Sequence, residues 1–116
     1  MTTLYGIPNC STVKKARQWL SDAGIDYTFH DFKKQGAPAD RLAAWTDALG
    51  LAKLVNRQGT TWRGLSDEDK ARAEARESAI ALMQDKTSVI KRPVLEHDGQ
   101  VLAGFSEAAY AEVFGR

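Results

Sequence analysis

Thr3-Leu4-Tyr5-Gly6-Ile7-Pro8-Asn9-Cys10-Ser11-Thr12-Val13 is the stretch on which the fold turns. Residues 3–7 read as a short buried strand. From Ser11 the apolar side chains fall at Val13, Ala16, Leu20 and Ala23, a helical stripe that Gly24 ends. Cys10 therefore stands where a strand hands over to a helix. A sulfur there faces unpaired backbone N–H groups and the positive end of the helix macrodipole, which favours thiolate over thiol. Free cysteines are more often small buried hydrophobes, so the argument for reactivity needs cations as well as a helix terminus.

Downstream, Ile25 to Phe32 alternates apolar and polar residues and reads as a second strand, giving a β-α-β opening whose two strands run parallel. Leu42, Trp45 and Leu49 share one helical face before Gly50. Ser66-Asp67-Glu68-Asp69 resembles a capping box leading into an alanine-rich helix on which Ile80 and Met83 continue the apolar side. Between them Leu54 to Arg63, with Arg57 and Arg63, reads as a polar loop able to reach the site. Near the end Val94–His97 and Gln100–Ala103 flank Asp98-Gly99, a two-residue hairpin signal. Ser106 then caps a last helix with Ala109, Tyr110, Val113 and Phe114 on one face. His97, beside the turn, is expected at an exposed tip, and His30 at a strand end.

The whole chain bounds these readings. Its 116 residues suit one domain with a core of its own. Sixteen basic against fifteen acidic residues leave a net charge of +1, without the basicity of a nucleic-acid binder. One cysteine makes no internal bridge, and two separated histidines give no zinc spacing. Neither a signal peptide nor an apolar membrane span is visible, so a cytoplasmic, reducing setting with no membrane partner is expected.

A β-α-β unit followed by a hairpin and a helix, with a cysteine after the first strand, is a thioredoxin-like α/β arrangement. Its mixed sheet is formed by residues 1–35 and 88–116, with a mostly helical insertion over about 36–87. Gly6-Ile7-Pro8-Asn9-Cys10-Ser11-Thr12, Lys14-Lys15-Ala16 and Ile90-Lys91-Arg92-Pro93-Val94 resemble the ArsC/Spx/YffB family, above all its YffB branch. The resemblance spans essentially the whole chain. It implies Cys10 as nucleophile, Pro93 in the cis form beside it, and a substrate or glutathione site drawn from Asn9, Ser11, Thr12, Lys14, Arg57, Arg92 and Pro93. Arg92 falls on the arginine that precedes the proline in glutaredoxin-linked arsenate reductases, and Arg57 lies near another. The histidine those enzymes place four residues before the cysteine is Gly6 here, and a third arginine is Gly104, which weakens an oxyanion reading. Spx regulators commonly use a Cys-x-x-Cys switch, and the second position here is Val13.

Energetics link the arginines to the thiol. Lowering a thiol pKa from about 8.5 to about 6 takes roughly 3.4 kcal/mol. A helix terminus supplies about 0.3–1 kcal/mol, at best about 2. Arg92, Arg57, Lys14 and the Ser11 and Thr12 amides are the candidates for the rest. The expected activity is a glutathione-dependent thiol-disulfide oxidoreductase with no bound cofactor or metal. Its partners are glutathione or a small oxyanion, with glutaredoxin or another thiol protein. The alternatives are a glutaredoxin-coupled arsenate reductase and a Spx-like protein-binding module without catalysis.

Overall fold

A computed structural model describes residues 1–116. The chain divides into two compact units, Met1–Gln35 with Arg92–Arg116, and Gly36–Lys91. The first contains β1 (Thr2–Gly6), α1 (Ser11–Asp22), β2 (Thr28–Asp31) and the single turn α2 (Phe32–Gln35). After the second unit it resumes with β3 (Val94–His97), β4 (Gln100–Ala103) and α8 (Glu107–Phe114). The sheet order is β2-β1-β3-β4, with β1 and β2 parallel and the other two pairs antiparallel. The α/β class read from the sequence is the one observed.

Pleat alternation decides which face carries the core. Leu4 and its ladder neighbours Phe29, Leu95 and Leu102 project to one side. There they meet Ala16 and Leu20 of α1 and Tyr110 of α8, with Trp19, Phe105 and Phe114 around them. The hairpin turn is as its sequence demands: Asp98 at φ 46° and Gly99 at φ 86° both take the left-handed region of a tight turn. His97 differs from its expected exposure. It pairs with Thr2 across the β1–β3 ladder, its Nδ1 lies 2.7 Å from Thr2 Oγ1, and its ring packs on Phe114 at 4.4 Å. It lies on the Leu95 side of β3, which faces α8, so the pleat draws it inward.

β2 is shorter than its alternation suggested, because the parallel ladder runs only from Thr28 to Asp31. Ile25 and Tyr27 still pack on the core, as an extended lead-in without ladder bonds. Asp31 then turns the chain into α2 by accepting the N–H groups of Lys33 and Lys34 on Oδ1, at 2.8 and 3.4 Å.

The second unit contains α3 (Ala39–Leu49), α4 (Leu51–Leu54), α5 (Thr60–Arg63), α6 (Asp67–Ala71) and α7 (Arg76–Asp85), with 3-10 turns at Arg72–Glu74 and Thr87–Val89. Leu42, Trp45, Leu54, Leu82 and Met83 are fully buried. Ser66 caps α6 by accepting from the Asp69 N–H. The alanine-rich stretch is not one helix: Ala75 is extended, and Arg76 starts α7 afresh, gripping Asp47 of α3 at 3.0 and 3.1 Å. The Leu54–Arg63 segment is also more ordered than a loop. Val55 bridges Ile90, and Gly59 leads into the helical turn α5. No helix is long and apolar enough to cross a membrane.

Candidate functional site

Ile7-Pro8-Asn9-Cys10 is a tight turn closed by the Cys10 N–H donating to the Ile7 carbonyl at 3.2 Å. Proline at its second position suits the fixed φ required there. Cys10 then occupies the N-cap of α1 in extended backbone (φ −86°, ψ 127°), and its carbonyl accepts the first helical bond, from Lys14 N–H at 3.0 Å. The sulfur is half-buried and is the chain's only one of its kind, so it is a free thiol.

Burial alone pushes that thiol up, but the N–H of Val13, the Arg92 guanidinium and the N–H of Thr12 together bring it below the ordinary thiol value. The amides do this without a side-chain cap of full hydrogen-bond geometry, since sulfur is a weak, diffuse acceptor. The pair of amides is Thr12 and Val13, not Ser11 and Thr12 as the sequence suggested. An N-cap side chain curls back over the second and third residues of its helix, so the first amide is out of reach.

The seating of that first turn depends on Gly6. A Cβ built there would meet Val13 Cγ2 at 2.8 Å and Cγ1 at 3.3 Å. Val13 is fully buried and cannot swing clear as a surface side chain would. The strand end under Cys10 is therefore bare because the helix lies directly on it. Gly104 is constrained differently: its φ is +80°, and its N–H donates to the Pro93 carbonyl at 2.8 Å. A side chain there would have to adopt a backbone region that costs about 1–2 kcal/mol for L-residues.

The Arg92–Pro93 peptide bond is cis. Pro93 is buried and Arg92 partly exposed. Asn9, Ser11 and Lys14 are exposed around the cysteine, and Thr12 is half-buried. Arg57 belongs to the other unit, where its guanidinium lies 5.2 Å from the centre of the Trp62 ring and 4.0 Å from Glu74. Trp62 is thus a partner of Arg57. Lys15 is exposed, whereas Arg17 donates to Tyr27 Oη and stacks over Phe29 at 4.2 Å, so that of these two α1 cations Arg17 is held by packing. No cluster of three potential metal ligands is present.

Gly6 and Val13 were the functional residues least visible in advance. Their signal is a small residue four before the cysteine and a β-branched one three after it. It has meaning only once strand and helix are known to touch.

The sequence pattern described as the ArsC family matches residues 5–113. A protein of Haemophilus influenzae with no assigned function is 38% identical over 98% of this chain and 99% of its own. The solved structure of the YffB protein superposes with a TM-score of 0.91 at 43% identity, covering 97% of both chains. An arsenate reductase (ArsC) related protein from Brucella melitensis gives a TM-score of 0.73 at 45% identity over 99% of this chain and 95% of that one.

Proposed function

This chain belongs to the ArsC family, and within it we propose that it is a glutathione-dependent thiol-disulfide oxidoreductase working through Cys10 alone. The observation that carries this reading is a half-buried N-cap sulfur held below the ordinary thiol range by two amides and an arginine. Cys10 thiolate attacks the glutathionyl sulfur of a mixed disulfide. The Cys10–glutathione bond forms, the substrate S–S bond breaks, and the departing thiolate takes a proton from water. A second glutathione thiolate then attacks the Cys10–glutathione bond, releasing glutathione disulfide and regenerating Cys10. The sum is one mixed disulfide and one glutathione thiol in, one substrate thiol and one glutathione disulfide out.

A lowered thiol pKa serves the second half most. It raises the thiolate fraction but lowers intrinsic nucleophilicity, whereas a low-pKa leaving group departs faster. Arg92 holds the anionic substrate as well as the thiolate, since its planar guanidinium pairs with carboxylates in two-pronged fashion. Pro93 shapes the groove beside it. A cytoplasmic setting accompanies this chemistry, because glutathione keeps thiols reduced there.

Arsenate reduction is the less favoured reading. The two positions where glutaredoxin-linked arsenate reductases carry a histidine and a third arginine are glycines here. Neither admits a side chain without local rearrangement: Gly6 is blocked by Val13, and Gly104 lies at positive φ.

The test is the rate of Cys10 alkylation against pH, with Arg92→Ala in parallel. The midpoint is expected below the ordinary thiol value of about 8.5 and should rise in the variant. A midpoint at or above that value, indifferent to Arg92, would overturn the reading. Glutathione-linked disulfide reduction should then vanish in Cys10→Ser, and arsenite formation with glutaredoxin should stay at background.

A further inference from the structure

α1 carries a row of side chains that leads away from the thiol. Thr12, Lys15, Trp19 and Asp22 recur at intervals of three and four and so share one face of the helix. They line a groove of about 620 Å³ whose other side is formed by Phe105, Ser106 and Glu107. All belong to the sheet-bearing unit.

One end of the row is Thr12, whose N–H acts on the sulfur. The other is Asp22, about 15 Å further along the helix at 1.5 Å per residue. That length takes about four residues of extended chain at about 3.3 Å each. The aromatic walls are held from behind: Trp19 and Phe105 each meet the buried Tyr110 ring edge-on, with centroids at 5.6 and 4.8 Å. Fixed, partly exposed aromatics offer contact area at little entropic cost, the property that enriches them in recognition surfaces. The charges are ordered along α1, with Lys15 towards the sulfur and Asp22 at the far end; Glu107 adds negative charge from the opposite side.

We propose that this groove seats an extended polypeptide segment whose cysteine carries the glutathionyl sulfur that Cys10 attacks, so that the substrate is a protein-borne mixed disulfide rather than a free small one. The proposal rests on the thiol-disulfide reading and names its substrate class. The matching segment has an acidic residue close to its cysteine, for Lys15, and a basic residue further out, for Asp22. An apolar side chain between them lies against Trp19 and Phe105.

The experiment is an amide and indole chemical-shift titration of isotopically labelled Cys10→Ser chain. The probes are glutathione disulfide, S-glutathionylated heptapeptides with the acidic-then-basic order on either side of the cysteine, and the same peptides with the charges exchanged. One peptide of matching order should shift Thr12, Lys15, Glu107 and the Trp19 indole together, with a Kd at least tenfold below that of glutathione disulfide. Exchanging the peptide charges, or Lys15→Glu in the protein, should weaken binding about fivefold. Shifts that stop at Thr12, or equal Kd values for glutathione disulfide and every peptide, would sink the proposal. The alkylation midpoint is read on the wild-type chain without peptide, so failure of the thiol reading and failure of the groove are separate results.

Discussion

Two helices lie on the core-bearing face of the sheet, and they begin in opposite ways. α8 starts at Ser106, whose Oγ accepts the Ala109 N–H at 3.0 Å, an ordinary cap that satisfies an otherwise orphaned amide. α1 starts at Cys10, whose sulfur forms no such full cap, while the Thr12 and Val13 amides favour its charged form. An oxygen at an N-cap uses the helix end to stabilise the helix; a sulfur there lets the helix end stabilise a negative charge. One atom type separates a structural terminus from a chemical one.

Replacing Cys10 by Ser makes the two ends alike and has the largest expected effect. Disulfide reduction should fall to background, while thermal denaturation should find the protein as stable as the parent or slightly more stable at neutral pH. Retained activity would remove the sulfur from the mechanism.

Next comes the seat of α1. Gly6→Ala should displace Val13, turn the amides away from the sulfur and slow alkylation at pH 7 several-fold. Val13→Ala in the same chain removes the clashing methyl groups and should restore much of the lost rate even though it opens a cavity in the core. A double variant no faster than Gly6→Ala would show that the contact does not set the amides. At the other terminus, Ser106→Ala should cost about 1 kcal/mol in denaturant unfolding with alkylation unchanged.

The smallest effect is a pH dependence. Because the Cys10 pKa is lowered on folding, the native state favours the thiolate. The stability this adds is fully present above the unfolded thiol value of about 8.5 and is lost as pH falls through the lower folded value. The stability of wild type relative to Cys10→Ser should therefore improve on going from mildly acidic to mildly alkaline pH. A flat difference would mean that the sulfur gains nothing from its position.

The same contrast explains what could be read in advance. Asp98-Gly99 and Ser106 are local signals, with turn geometry and cap chemistry written in two or three adjacent residues, and the hairpin and α8 stand where those residues put them. Cys10 was legible as a helix-terminal sulfur for the same reason. The amides that act on it were misplaced by one residue, because only the curl of the side chain over the first turn selects them. Alternation extends past the ends of β2 because it marks burial, while the ladder is set by the length of its partner β1. The break at Ala75 runs against helix propensity, and alanine offers no sign of it. Nothing local marks Gly6 either, since its importance lies in a helix seven residues away passing within van der Waals contact.

The buried valine at position 13 has one more consequence. A chain whose only thiol has no second thiol to close upon cannot store oxidation as a change in its own connectivity. Each oxidised copy with a disulfide is an adduct, heavier by whatever it has captured. Its abundance follows the ratio of free to oxidised thiols around it and relaxes as that ratio relaxes. Such a protein follows the surrounding thiol pool continuously and retains no latched record of its past.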